Sequence, residues 1–307
     1  MKLKIMILTV LVGTVAFYGC SKDNVRSEEG PLSVRANIAK NTISVTKSDV
    51  TSFSNSTIGV FVDDAAGAYS PEKNSTASVN TGDNSVSPSP EIYINANASV
   101  YAYYPAAADE LTSPNATSSK NVSVVASDDF EATAQSDYMW ATPVTVSKSN
   151  RTAVLNFNHA LCKLVFSISL GDTYAGSGNL TKINLTSATS VFQTGTSGKM
   201  KISDGTLSGM TGTASLDYTG GITLTTTAQK AYALVAPVSS LSVNDITVAL
   251  TIDGSSYSAV IPVNTISSWS AAYVYTYNIN VSSSSMSVGS VGINDWTDGS
   301  SASVSLQ

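Results

Sequence analysis

Cysteine, histidine and arginine are nearly missing from this sequence. Its 307 residues hold two cysteines, one histidine and three arginines, Arg26, Arg35 and Arg151. A lone histidine, His159, excludes a histidine-rich metal site. Charged residues make up 12% of the chain, about half the usual share, while the hydrophobic fraction of 42% is ordinary. A net charge of −6 and a pI near 4.7 argue against nucleic acid as a partner, because such partners need clustered Lys and Arg. Also missing is any amphipathic helical pattern of ten or more residues. The polarity that charge does not supply comes from Ser, Thr and Asn. Their side chains compete for local backbone hydrogen bonds and suit strand surfaces and turns better than helix interiors.

What is present begins at the N-terminus. Met1-Lys2-Leu3-Lys4 is basic, Ile5 to Tyr18 is an uncharged apolar run, and Gly19-Cys20 closes it. A basic start, a short apolar stretch and a small residue before the cut make a secretory signal, and the run is too short for a typical membrane-spanning helix. A cysteine directly after the cut marks a bacterial lipoprotein, in which the thiol is acylated. The position three residues earlier, commonly a small aliphatic residue, is Phe17. The expectation is a signal peptide over 1–19, cleavage between Gly19 and Cys20, and lipidation of Cys20. Cys162 is then left without a partner in the chain, and its apolar setting reads as a buried small hydrophobe.

Residues 20–30 are polar and form a flexible tether. From Pro31 on, short runs rich in Val, Ile, Thr and Tyr alternate with Gly, Asn, Asp, Ser and Pro, the pattern of an all-β protein. In Leu164-Phe166-Ile168-Leu170 and in Tyr273-Tyr275-Tyr277-Ile279-Val281 every second residue is apolar, which places them on one face of a strand. About a dozen such strands fit two sandwiches better than one. The expected division is 31–160 and 161–296, followed by a segment 297–307.

Catalytic chemistry is hard to assemble. His159 lies at the junction of two strands and reads as a structural histidine bonded to backbone. No G-x-S-x-G elbow and no phosphate-cradling glycine loop occur. Asp63-Asp64 and Asp128-Asp129 are carboxylate doublets without the spacing of a calcium loop, and read as solvated turns. The sequence therefore predicts no catalytic residues, no metal and no cofactor.

Four segments, in order, resemble the fimbrillin-like proteins of Bacteroidales, the subunits of type V pili. They are Ile58-Gly59-Val60-Phe61; Val100 to Pro105 with Ser136 to Ala141; Val154 to Phe166; and Tyr273 to Val281 with Ile293-Asn294-Asp295-Trp296. The resemblance implies two tandem transthyretin-like β-sandwiches and a structural or adhesive role in a cell-surface fimbria. It implies delivery to the outer membrane as a lipoprotein and proteolytic removal of an N-terminal segment that carries the first strand. A C-terminal strand of another fimbrial subunit then fills the groove, which is strand addition. On this resemblance Leu32, Val34, Ala36 and Ile38, spaced at period two, are the detachable first strand. The cut falls at Arg35, Lys40 or Lys47; well-known members place an arginine after the strand, whereas Arg35 lies inside it. Val304 and Leu306 in 297–307 belong to the donor strand, and Asp298-Gly299-Ser300-Ser301 reads as a hinge. The receptor is left open. A second reading, from a different class, is a surface lipoprotein that binds glycans through Tyr101, Tyr103, Tyr104, Tyr138 and Trp140, with core packing as the alternative role for these rings.

Overall fold

The structure is a computed structural model and describes residues 30–38, 56–64, 75–80, 82–107, 110–261 and 266–296. The signal peptide, Gly19, Cys20, Lys40, Lys47, Val304 and Leu306 lie outside these residues. Every regular element among the described residues is a β-strand, as the composition predicts.

In the N-terminal part, seven strands close into a circuit. The strand Met139–Ala141 pairs on one side with Ala98–Tyr104 and on the other with Thr152–His159. From there the order continues through Ser33–Ile38, Ser85–Ser89, Ser75–Val79 and Thr57–Asp63 back to Ala98–Tyr104. Closure removes the free edges that would otherwise invite pairing with other chains. Inside lies one apolar cluster built from alternate residues of these strands, among them Val34, Val60, Val100, Leu155 and Phe157.

The C-terminal part is two facing sheets. One has the order Gln229–Val235, Cys162–Leu170, Tyr273–Val281, Met286–Asp295. The other runs Ser255–Val260, Ile246–Ile252, Asn179–Ser187, Ser215–Thr223, Ser127–Asp129. Leu164, Phe166 and Ile168 lie beside Tyr275, Tyr277 and Ile279 on the inner face of the first sheet and share one core with Ile183, Leu185, Val248 and Leu250 of the second, so the alternation in both segments does what it predicts. Tyr273, at the start of its run, is exposed instead.

A third apolar layer joins the two parts. Thr57–Asp63 and Ala98–Tyr104 are buried on both faces, and their outward residues Phe61, Tyr101 and Tyr103 meet Val165, Leu234 and Val274 from the opposite sheet. Pairing also crosses residue 160. Ser119–Val124 is antiparallel to Phe192–Lys201, and Ser127–Asp129 is parallel to Ser215–Thr223. The two parts are thus interlocked by backbone as well as by side chains.

Phe192–Lys201 is a ten-residue strand that periodicity does not reveal. It carries three Thr and Ser residues and two glycines, has a bulge between Gly195 and Gly198, and is held by its partners rather than by its own pattern. Cys162 is fully buried, its thiol facing the Val235 carbonyl at 3.4 Å, and burial pushes its ionisation well up. It is the inert hydrophobe the sequence suggests.

Candidate functional site

The first strand sits deep in the N-terminal circuit. Ser33–Ile38 runs parallel to Thr152–His159 over six residue pairs, from Ser33 opposite Thr152 to Ile38 opposite Phe157. On its other side only Val34 and Arg35 pair with the strand Ser85–Ser89. Leu32, Val34 and Ala36 point inward and are buried, Ser33 and Arg35 point outward and are exposed, and Ile38 is half-buried. Period two therefore places the apolar set on one face, where a one-residue slip would turn it to solvent.

Backbone bonds tie down both ends. The Leu32 N–H donates to the Ile92 carbonyl (2.8 Å), that of Ser33 to Arg151 (2.9 Å) and that of Ala36 to Asn84 (3.0 Å). The Arg151 side chain lies against Gly30, where an added Cβ would come within 2.8 Å of its guanidinium, and its Nε donates to the Ile94 carbonyl at 3.3 Å. Next to the exposed Arg35, Ser85 holds the Asp83 carboxyl below its usual range through side-chain and backbone hydrogen bonds, with the Arg35 charge adding a smaller pull.

At the other terminus, Met286–Asp295 pairs antiparallel with Tyr273–Val281 and forms a sheet edge. Trp296 ends the described chain. Its backbone N–H donates to the Ala272 carbonyl at 2.7 Å, and its ring is buried in the layer between the two parts.

Trp296 stacks on His159 with ring centroids 3.8 Å apart and 5° between planes. His159 Nδ1 in turn lies 2.9 Å from the Asp137 carboxylate, and both groups are buried. The expected backbone partner of His159 is thus a carboxylate 22 residues earlier, a contact that sequence spacing does not reveal. Neither His159 Nε2 nor Trp296 Nε1 has a hydrogen-bond partner. A second joint is formed by Gly59 and Tyr103, which are direct cross-strand neighbours. The Tyr103 ring covers Gly59 so closely that a Cβ there would meet it at 2.2 Å. The segments that carry the resemblance therefore meet one another in space: Gly59 with Tyr103, and Asp137 with His159 and Trp296. Asp137, His159 and Trp296 form a structural joint between the two parts, and Gly59 with Tyr103 a joint within the first.

The carboxylate doublets organise backbone. Asp63 ends a strand and accepts from the Ala116 N–H at 2.6 Å. Asp128 accepts from the N–H groups of Asp129, Ala134 and Gln135. Among the described residues no group of three or more His, Cys, Asp or Glu is placed to hold a metal. Of the five aromatic residues named for glycan binding, Tyr101, Tyr103 and Tyr138 are buried, while Tyr104 and Trp140 are half-buried. Trp140 borders a cleft of about 860 Å³ together with Asn158, Gln193, Asp204 and Thr206.

The fold is shared with solved structures from Bacteroidales. A protein described as a candidate cell adhesion protein of Bacteroides uniformis is 21% identical with a TM-score of 0.60, the match covering 87% of this chain and 99% of that one. A similar candidate from Bacteroides ovatus is 18% identical with a TM-score of 0.61, covering 87% and 98%. The tip fimbrial protein Mfa3 of Porphyromonas gingivalis, with C-terminal truncation, is 11% identical with a TM-score of 0.50, covering 87% and 100%. A comparison with curated proteins finds no match. The sequence profile of the fimbrillin-like family matches residues 42–296, so the chain belongs to the fimbrillin-like family.

Proposed function

We propose that the chain is a non-catalytic structural and adhesive subunit of a cell-surface fimbria, assembled by protease-triggered donor-strand exchange. It is exported as a lipoprotein on Cys20, held first at the outer membrane, and later joined to other fimbrial subunits. Its two parts are read as tandem transthyretin-like sandwiches, a reading supported by a separate apolar core in each.

The observation that carries this reading is the seating of the first strand. Ser33–Ile38 closes the N-terminal circuit with Val34 and Ala36 buried, and Leu32 buried just before it, yet it is bound along most of its length to one neighbour. Its removal opens a slot with unpaired backbone and apolar pockets, the template that strand addition needs. Arg35 lies within the ladder, paired on both sides, and is a poor substrate for a protease while the strand is in place. Lys40 and Lys47 follow the strand in sequence, and cleavage there would release it whole.

Mild trypsin treatment of the purified precursor should free an N-terminal fragment ending at Lys40 or Lys47 and start polymerisation. Deleting 297–307 should stop assembly while the monomer stays folded. A truncated chain that still polymerises would overturn the donor assignment.

A second reading attaches to the cleft at Trp140. Its walls are rich in hydroxyl and amide groups, chemistry suited to a neutral saccharide. Trp269 and Trp296 are buried, so a fluorescence change on adding oligosaccharide would report on Trp140; no change across a glycan panel rules this reading out.

A further inference from the structure

The last residues of the chain repeat the first strand in reverse. Read backwards from Leu306, the tail is Leu306-Ser305-Val304-Ser303-Ala302, and the first strand read forwards is Leu32-Ser33-Val34-Arg35-Ala36. Four of the five side chains are identical, and the fifth position, Arg35, points to solvent. We infer that the donor strand enters the groove of a second copy of this chain in the opposite direction to the strand it replaces. Leu306 takes the pocket of Leu32, Val304 that of Val34 and Ala302 that of Ala36. This inference rests on the strand-exchange reading and adds the direction and register of the incoming strand.

Two physical arguments favour reversal. The first is pocket size. Inserted in the original direction with Val304 in the central pocket, the tail would put Leu306 where Ala36 is now buried at 1% exposure, and Ala302 where Leu32 sits. One end would be overpacked and the other left with a cavity, and both are destabilising. Reversed, each pocket receives the side chain it already fits.

The second is the ladder. The native strand pairs in parallel with Thr152–His159 over six residue pairs and antiparallel with Ser85–Ser89 over only two. Parallel pairing is slightly less stable per residue than antiparallel. A reversed donor makes the long ladder antiparallel and transfers the weaker geometry to the short one. The change of ladder geometry then favours the incoming strand without any new side-chain contact.

Engineered disulfides separate the two directions. In the reversed register Ser305 lies opposite Thr152, where Ser33 now lies; in the original direction it lies opposite Val154, where Arg35 now lies. Thr152 and Val154 are exposed, and the resident Cys162 is buried and will not compete. Directly opposed Cα atoms in an antiparallel pair are about 4.5–5.5 Å apart, within disulfide range, whereas a two-residue offset along the strand takes the separation to about 8 Å, beyond it.

The experiment compares full-length T152C/S305C with full-length V154C/S305C, each polymerised with trypsin, oxidised and run on a denaturing gel. A covalent ladder of subunits is expected from T152C/S305C, with at least tenfold less from V154C/S305C. A ladder from V154C/S305C instead overturns the reversed direction. Polymers that cross-link in neither variant overturn the register. If the unsubstituted chain forms no polymer after its first strand is released, strand exchange itself fails and the inference fails with it.

Discussion

Substituting Val34 by serine tests how firmly the first strand holds its place. Val34 is 2% exposed, lies between Leu32 and Ala36 on the buried face, and pairs with Ala153 on one side and Val86 on the other, both buried. Val34→Ser removes the equivalent of two methylene groups, about 1.6 kcal/mol at roughly 0.8 kcal/mol each. It also places a hydroxyl in an apolar pocket, costing about 1–3 kcal/mol when unbonded. The sum is about 2.6–4.6 kcal/mol, or roughly two to three powers of ten at 1.4 kcal/mol each. The isosteric Val34→Thr keeps the volume and isolates the hydroxyl contribution of about 1–3 kcal/mol. The measurement is made after the chain has been cut downstream of the strand, following release of the fragment from the body by size exclusion and mass spectrometry. Val34→Ser should release it about a hundred- to a thousandfold faster than the unsubstituted chain, with Val34→Thr in between. Polymerisation should begin correspondingly earlier. Equal release rates for all three would refute the idea that burial of this face retains the strand. A fall in the thermal midpoint of the C-terminal part would refute the assumption that the strand's contribution is local.

Other expectations concern the joints and one loop. His159→Ala removes the ring stacked on Trp296 and a buried hydrogen-bond partner of Asp137, and should cost about 2–5 kcal/mol in urea unfolding through the cavity and the lost bond; the double variant Asp137→Asn/His159→Ala should recover part of that, and a cost for the single variant below about 1 kcal/mol would refute a joint there. Gly59→Ala drives a methyl group to 2.2 Å from the Tyr103 ring and should lower stability by about 1–3 kcal/mol by overpacking, read as a lower denaturant midpoint; an unchanged midpoint would show that the ring yields freely. Asp253 is held well below the usual carboxylate range, first by the Ser177 hydroxyl and then by the N–H groups of Asn179 and Gly178. A depressed carboxyl contributes stability above its unfolded value, here 3.8, and loses it as pH falls below that value. Asp253→Asn should therefore flatten the acid limb of the unfolding profile below about pH 4, and an unaltered limb would refute the assignment.

Much of the fold can be read from alternation, and the exceptions have a common cause. Leu164 to Leu170, Tyr275 to Val281 and Leu32 to Ala36 show period two because one face of each meets an apolar core. Ser75–Val79, Ser85–Ser89 and Phe192–Lys201 are rich in serine, threonine and glycine, so their strand character comes from neighbours across the sheet. The first strand is recognisable, but its parallel partner is not, since Asn37 and Asn156 meet across 119 residues. The aromatic residues stay open between two roles for a related reason. Tyr101, Tyr103 and Tyr138 read as surface platform or as core because periodicity cannot show that a second sheet covers the outer face, and packing makes them core. His159 is recognised as structural, while its partners Asp137 and Trp296 are set by tertiary packing alone.

The strands that cross between the two parts carry a mechanical consequence. A fibre subunit pulled at its two ends must pass load from one part to the other. Here the Ser119–Val124 and Ser127–Asp129 strands of the first part are laid into sheets of the second, and a buried aromatic layer fills the joint. Tension between the groove strand Thr152–His159 and Trp296 is then resisted by ladders and packing that must give way together, not by a single hinge that can extend. The subunit should stretch as one stiff body, and in a filament built by the proposed strand exchange the inserted strand is the place that yields first.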